Sequence, residues 1–277
     1  MTVRSCTSKL NAVPPQDAFI PGIFSVVLLC VAGGTWLGNA PNRRRRKRIQ
    51  DTPTSPIANA SGGGPVEIYG RLAPSEHGLI VAPFSGKPAV FVRVIVEEYR
   101  SNGKSGHWAT IVNESDSRDF FVDDGSGEYA RVYVQGATFE LNATVVGKSG
   151  TFNDAPPHLE AFLRSRGRAS TTSLFGFNKS MRYSEELIVP GDSLYALGPS
   201  RRDAGPPTSA GYRTAQSSQL ALFAQQGEAH ELLLTNLSEA QLLAKLNSGI
   251  VATIVFLVLG GVLGTVAFGV IVAGAFG

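Results

Sequence analysis

The chain has 277 residues, of which 43% are hydrophobic and 17% charged, and its formal net charge is +3. Six of the 25 Lys and Arg residues lie in one run at positions 43–48, so the rest of the chain has no basic excess, which argues against nucleic acid as a partner. Only two cysteines occur, Cys6 and Cys30, and the four histidines lie far apart. This composition excludes a disulfide framework and a thiolate zinc site, and predicts neither a metal nor a cofactor.

The first apolar segment, residues 19–38, follows an N-terminal tail at 1–18. It is uncharged, and about 20 helical residues at 1.5 Å each span the hydrocarbon of a bilayer. A cleaved signal peptide would carry its positive charge before the apolar stretch, whereas here the charge comes after it. We therefore interpret the segment as a retained transmembrane helix.

The second apolar segment, residues 250–276, contains no charged residue and predicts a second transmembrane helix. Small residues that would allow close helix packing recur along it: Gly260, Gly261, Gly264, Gly269 and Ala273. They predict contact with the first helix or, as a homo-oligomer, with a second copy of the chain. The alternative is that glycine is simply common in membrane helices.

The basic run directly follows the first segment and consists of Arg43, Arg44, Arg45, Arg46, Lys47 and Arg48. The two apolar segments predict a two-pass integral membrane protein, in the plasma (inner) membrane if the cell is bacterial. Because cations directly after a span resist translocation, the basic run predicts that the soluble domain is cytoplasmic. Cations beside a membrane anchor predict the bilayer and its anionic headgroups as a partner. A nuclear-localisation or nucleic-acid role is the alternative.

The region between the anchors is predicted as a basic run and flexible tether at 39–65 and a β-rich domain at 66–247, with a disordered loop at 199–218. The predicted fold class is mainly β: an antiparallel sheet or barrel-like soluble domain with minor helix, flanked by two transmembrane helices. One short helix is predicted at 157–165. Strands are predicted at 66–72, 89–99, 107–113, 120–123, 129–134, 138–146, 181–189, 192–198, 220–223 and 231–234.

Catalytic patterns were sought among the remaining polar residues, and none predicts a catalytic or metal site. The pairs Glu97-Glu98 and Glu185-Glu186 lie on predicted strands, where neighbours project to opposite faces, so we interpret them as solvated positions. Gly-Lys-Ser occurs at 103–105 and 147–149 without the earlier glycine of a phosphate loop, and both are predicted as hairpin loops. A tight hairpin is predicted at 123–127, with a calcium loop as its alternative.

Three stretches resemble the GIDE domain of membrane-anchored E3 ubiquitin ligases of the mitochondrial ubiquitin ligase activator type. They are APFSGKPAVF at 82–91 continuing to VEE at 96–98, FFVDDGSG at 120–127, and RYSEE at 182–186 continuing to PGDSLYALG at 190–198. The resemblance covers about residues 66–245 and implies a β-rich module, between two membrane helices, that engages substrates or regulators. The RING that recruits the E2 enzyme in those ligases has no counterpart in the sequence, so we do not expect ligase activity from this chain alone.

The function expected from these observations is that of a noncatalytic, membrane-anchored protein-interaction module with a protein partner. The alternatives are a component of a ubiquitin-ligase-like system and a structural membrane organiser assembled through the glycine stripe. The turns that match the family supply the candidate binding edge, unless they only shape the fold: Pro83, Ser85, Gly86, Lys87, Pro88, Asp123, Asp124 and Gly125.

Overall fold

The computed structural model describes residues 16–75, 78–150, 152–171, 179–204, 218–225 and 230–276. The chain divides into two units, one formed by residues 1–48 with 243–277 and the other by residues 49–242. Most of the predicted N-terminal tail, including Cys6, lies outside the described residues. So do His77 and positions 205–217 of the predicted disordered loop.

The elements follow in this order: α1 (Gln16–Gly38), α2 (Ala40–Asp51), a 3-10 helix (Ile57–Asn59), β1 (Pro65–Pro74), β2 (Ile80–Val81), β3 (Pro88–Ala89), β4 (Phe91–Ser101), β5 (Gly106–Ser117), β6 (Phe120–Asp123), β7 (Tyr129–Val132), β8 (Thr138–Phe139), β9 (Thr144–Ser149), α3 (Pro157–Ser165), β10 (Met181–Ile188), β11 (Ser193–Ala204), β12 (Ser218–Leu222), β13 (Leu233–Thr235) and α4 (Glu239–Phe276).

A closed barrel forms one part of the β-rich unit. Strands β1, β6, β7, β12 and β11 pair in that order, and β11 pairs again with β1, while β13 and β8 extend the sheet from β11. The predicted barrel-like, mainly antiparallel fold is thus confirmed, although β12–β7 and β13–β8 are parallel pairs. Gly70 permits the closure, because a Cβ there would collide with the Asp123 carbonyl oxygen of β6.

A second sheet has the antiparallel strand order β5-β4-β10-β9 and its own core. Val92, Val94 and Val96 of β4 are buried, whereas the residues between them are half-buried, as the predicted alternation requires. Leu159 and Leu163 of α3 belong to the same buried cluster, so α3 helps to cover this face of the sheet. Helix α3 has the predicted bounds.

The predicted tether is wrong for the segment after α2. Ile57 is fully buried in the barrel core, and the 3-10 helix around it is held by the guanidinium of Arg202. Arg202 donates hydrogen bonds to the carbonyl oxygens of Ile57, Ala58 and Ala60. The segment is rich in Pro, Ser and Gly, as a linker would be, but its one large apolar side chain, Ile57, is part of the barrel core.

Two other predicted loops are strands. The disordered loop predicted at 199–218 is wrong at its start, because β11 continues to Ala204 and pairs there with β12. The tripeptide at 147–149 lies within β9, paired with β10, whereas the one at 103–105 does lie in the β4–β5 hairpin. The strand predicted at 138–146 is also two strands, β8 and β9.

Candidate functional site

The predicted binding-edge loop at 83–88 joins β2 to β3 and is anchored by a buried carboxylate of β10. The backbone N–H groups of Phe84 and Ser85 donate to the two carboxylate oxygens of Glu185, at 2.9 and 3.2 Å. The Phe84 ring packs edge-on against Phe162 of α3 and Tyr183 of β10, with centroid distances of 4.9 and 6.0 Å. These contacts hold the loop against the second sheet.

The prediction that Glu185 and Glu186 are solvated is wrong, since both are buried. Strand β10 is central in its sheet and is covered on both faces, which a short charged dipeptide in the sequence does not reveal. Their projection to opposite faces is confirmed: Glu185 binds the 83–88 loop, and Glu186 pairs with Arg93 of β4 at 2.8 Å. Two buried carboxylates with separate partners form no acid–base pair.

An open groove lies beside this loop. Its volume is about 310 Å³, and its lining is apolar over most of its area with charged groups at one side: Ile80, Val81, Pro83, Val92, Val94, Phe162, Glu114, Ser115, Asp116 and Arg166. Val81 at the rim of the groove is 70% exposed. Of the predicted edge residues, only Pro83 lines this groove.

The charged side of the groove is a clamp between Arg166, just after α3, and Glu114 of β5. The Arg166 Nε and Nη2 atoms donate to the Glu114 carboxylate at 2.8 Å, and the guanidinium stacks on the Phe162 ring, 4.6 Å from its centroid. The hydrogen bond from Arg166 lowers the pKa of the Glu114 carboxyl, so this side stays ionised at neutral pH. The ion pair forms the charged wall of the groove.

The second predicted edge, at 123–127, is the hairpin between β6 and β7, as predicted, with Gly125 at φ +78°. It is committed to the fold: the Asp124 carboxylate accepts from the Ile57 N–H at 2.7 Å, and the Ser126 hydroxyl accepts from the Ala58 N–H at 3.2 Å. The turn thus holds the 3-10 helix over the barrel end. No group of three His, Cys, Asp or Glu within the described residues could hold a metal ion, so the calcium alternative has no support there.

The two predicted edges are not parts of one site. The 123–125 turn lines a separate cavity of about 430 Å³ with Tyr69, Arg71 and Ser193, on the barrel. The 83–88 loop belongs to the second sheet and its core. The sequence did not indicate Glu185 or Val81 as parts of a site. Glu185 stands between Ser184 and Glu186 in β10, so nothing in its local sequence marks it as buried.

Acid is expected to weaken the contact made by the hairpin at Asp124. Burial, the largest single influence, raises the pKa of this carboxyl, but hydrogen bonds from Ser126 and Ile57 outweigh it and hold the pKa below its ordinary value of 3.8. A depressed folded-state pKa stabilises the fold above that value, and the contribution is lost as pH falls through the folded pKa. Urea titrations should therefore show Asp124→Asn less stable than the parent at pH 7, with a smaller difference near pH 3; an equal difference at both would contradict this.

Helices α1 and α4 pack through part of the predicted glycine stripe. The Ser25 hydroxyl donates to the Gly260 carbonyl oxygen at 2.7 Å, and a Cβ at Gly264 would lie 2.9 Å from the Ser25 oxygen. A Cβ at Gly261 or Gly269 would have no atom within 4 Å among the described residues, so contact with a second copy remains a prediction. The Ala273 side chain lies outside the described set.

The basic run lies in α2, which bends by 50° from α1. At the bend the Arg43 guanidinium stacks over the Trp36 ring, 3.8 Å from its centroid, and donates to the Trp36 carbonyl oxygen. Arginine and tryptophan side by side are typical of a membrane–water interface.

The prediction of two transmembrane helices is only partly confirmed. Within the described residues, α4 is long and apolar enough to cross a membrane by itself, whereas α1 meets the same criterion only together with α2, as a bent pair.

The model of the GIDE family, described as E3 ubiquitin ligase, matches residues 92–270. The match begins in β4, covers the second and third of the resembling stretches, and extends into α4; residues 82–91 of the first stretch precede it. No curated protein and no solved structure matches the chain. Because the family match covers more than half of the sequence, the chain belongs to the GIDE family.

Proposed function

We propose that the chain is a membrane-anchored, noncatalytic protein-interaction module of the GIDE type, held beside the bilayer by two membrane helices. The observation that carries the proposal is the pairing of two apolar helices at either end of a folded β-rich unit that offers an open groove. The conspicuous carboxylates of that unit, Glu185 and Asp124, are engaged in holding loops in place. We therefore propose that the unit acts by binding a partner on its surface.

Support for α1 as a second span comes from what it exposes. Large apolar side chains along it are 40–74% exposed: Ile20, Ile23, Phe24, Val26, Val27, Leu29, Val31, Trp36 and Leu37. Exposing so many apolar side chains to water is unfavourable, whereas contact with lipid chains is favourable. Its contacts with α4 include glycines and hydroxyls: the Thr253 hydroxyl donates to the Thr35 hydroxyl oxygen at 2.9 Å, and membrane helices favour packing of this kind.

The interaction role is tested by affinity purification of the intact, tagged chain from detergent-solubilised membranes. The matched control keeps α1 and α4 but replaces residues 66–200 with an unrelated folded domain. Partners that are recovered with the parent and absent with the control support the proposal. The same partners from both would show that the membrane helices, and not the β-rich unit, recruit them.

The proposed orientation places the β-rich unit in the cytoplasm, with the basic α2 against anionic headgroups. A protease site inserted in the exposed β4–β5 hairpin between Gly103 and Lys104 measures it. We expect cleavage only when the cytoplasmic face of oriented vesicles is accessible. Cleavage from the other face would invert the orientation and remove cytoplasmic proteins as partners.

A second candidate is a component of a ubiquitin-ligase-like complex, favoured by the description of the matching family. The chain would then present a substrate to a partner that recruits the E2 enzyme. Reconstitution with E1, E2, ubiquitin and a purified partner is the test. Ubiquitin conjugation that depends on the chain supports this role, and its absence with and without the partner would rule it out.

A further inference from the structure

The outer edge of β5 has no neighbouring strand among the described residues. Strand β5 is 12 residues long, equal in length to β11, and stands at the end of the order β5-β4-β10-β9, where it pairs only with β4. A strand at the edge of a sheet presents a row of backbone N–H and C=O groups to which another extended chain can bind. Many edge strands are protected against such binding, so the relevant question is which backbone N–H and C=O groups of β5 are accessible.

The hydrogen-bond pattern identifies the open groups. Arg118 N–H donates to the Val90 carbonyl oxygen at 2.8 Å, and Val92, Val94 and Val96 of β4 pair with Asp116, Glu114 and Val112. In an antiparallel ladder alternate residues turn their backbone groups to the same side, so these β5 residues face β4. Asn113 and Ser115 consequently turn their backbone groups outward.

The edge is closed again one step further along the strand. The Ser117 N–H is taken by the Asp116 carboxylate at 2.8 Å, and the Ser117 carbonyl oxygen accepts from Arg118 at 2.9 Å. The irregularity in the pairing of β5 with β4 at Val96 and Glu97 interrupts the ladder at the other side. The open edge is therefore a short one, centred on Asn113 to Ser115.

The apolar groove adjoins this open edge. Glu114, Ser115 and Asp116 of β5 form one side of it, and Val81, Pro83 and Phe162 lie on the others. A strand added to β5 would place alternate side chains on the groove side of the sheet. Backbone hydrogen bonds along an edge, with a pocket for alternate side chains, are the two components of strand-addition recognition.

We propose that β5 is the docking edge for an extended segment of a partner protein, which adds a strand to the second sheet and places an apolar side chain in the groove. This rests on the proposed interaction role and names its surface. A second copy of the chain is a poor occupant, because the β5 residues on the groove side include Glu114 and Asp116, whose carboxylates would enter an apolar groove beside the same carboxylates.

The test uses the full chain in lipid nanodiscs and a fluorescently labelled peptide, Lys-Thr-Val-Thr-Phe-Thr-Val-Thr-Lys, whose length of about nine residues covers the edge at about 3.4 Å per residue. A Val and an Ile peptide at the Phe position complete the panel. Ser115→Pro removes one outward N–H without breaking a bond to β4, whereas Ser115→Ala keeps it. We expect Ser115→Pro to weaken binding at least about tenfold and Ser115→Ala to leave it unchanged.

A second variant tests the groove, and it carries the experiment if Ser115→Pro does not fold. Val81→Lys introduces a charge at an exposed apolar position and should also weaken binding severalfold. Equal affinity of the parent, Ser115→Pro and Val81→Lys, or no saturable binding of any peptide in the panel, would overturn the proposal. If partners purified with the intact chain are retained by Ser115→Pro, the docking edge is wrong while the interaction role stands.

Discussion

A disulfide is expected to join α1 to α4 when Ser25 and Gly264 are both replaced by cysteine. The Ser25 Cβ lies 3.9 Å from the position that a Cβ would take at Gly264. Disulfides have Cβ–Cβ distances of about 3.5–4.5 Å, so the two thiols can bond with little movement of either helix. The background is a chain in which Cys6 and Cys30 are replaced by serine, so that no other thiol competes.

Detection requires a cut between the helices. A protease site in the β4–β5 hairpin separates α1 from α4, and after mild oxidation of native membranes and cleavage, the two fragments should migrate together on a non-reducing gel. The matched control pairs Ser25→Cys with Gly261→Cys, where a Cβ has no neighbour within 4 Å among the described residues. We expect nearly complete linkage in the first variant and almost none in the control.

This comparison decides between a two-helix anchor and a single span. If α1 and α4 pack in the membrane as they do here, linkage at Gly264 but not at Gly261 identifies the face that α4 presents to α1. Equal linkage in both would mean that the helices have no fixed contact. No linkage in either would remove α1 as the partner of α4.

The glycine stripe shows which part of helix packing the sequence could predict. Spacing alone placed Gly260, Gly261, Gly264 and Gly269 together as packing residues. Of these four, Gly260 and Gly264 lie against α1 among the described residues, because the facing residues Ser25 and Leu29 select one side of the helix. Glycine spacing indicates that a close contact can form, and the partner's side chains determine which glycines make it.

Prediction from the sequence succeeded for strands with strong alternation and failed for the tether, where a single residue decided the outcome. The valines of β4 define a face regardless of what packs on it, so the strand and its buried side followed from the sequence. Ile57 is different, since its surroundings are typical of a linker and its burial depends on Arg202 and Asp124, which lie far away in the sequence. Long-range hydrogen bonds of this kind leave no local pattern.

The sequence predicted the loops of the candidate site, but not the groove, the β5 edge or the buried carboxylate of Glu185. The resemblance directed attention to 83–88 and 123–125, and both prove to be turns. Neither the β5 edge nor the groove beside it could be read from the sequence, because each is defined by what does not pair or pack at that place. The dependence of the 83–88 loop on Glu185 also required the register of β10.

Glu185→Gln is expected to destabilise the β-rich unit by about 2–3 kcal/mol, because one carboxylate oxygen becomes an amide NH2 in a buried position facing the backbone N–H of Phe84 or Ser85. The matched control is Glu97→Gln, on the neighbouring strand, whose partner Arg182 is partly exposed. Because both side chains of this pair keep contact with solvent, its loss should cost only about 1 kcal/mol. Denaturant titration of the full chain in detergent measures both.

Amide hydrogen exchange separates a local effect from a general one. In Glu185→Gln the amides of Phe84 and Ser85 should exchange at least about tenfold faster, since their acceptor is lost, while buried amides of β1 in the barrel change only as much as the global stability does. Equal stability losses in Glu185→Gln and Glu97→Gln would mean that the buried carboxylate is not the anchor of the loop. The groove would then lack a fixed wall on the side of Pro83, and a partner would have to order that wall when it binds.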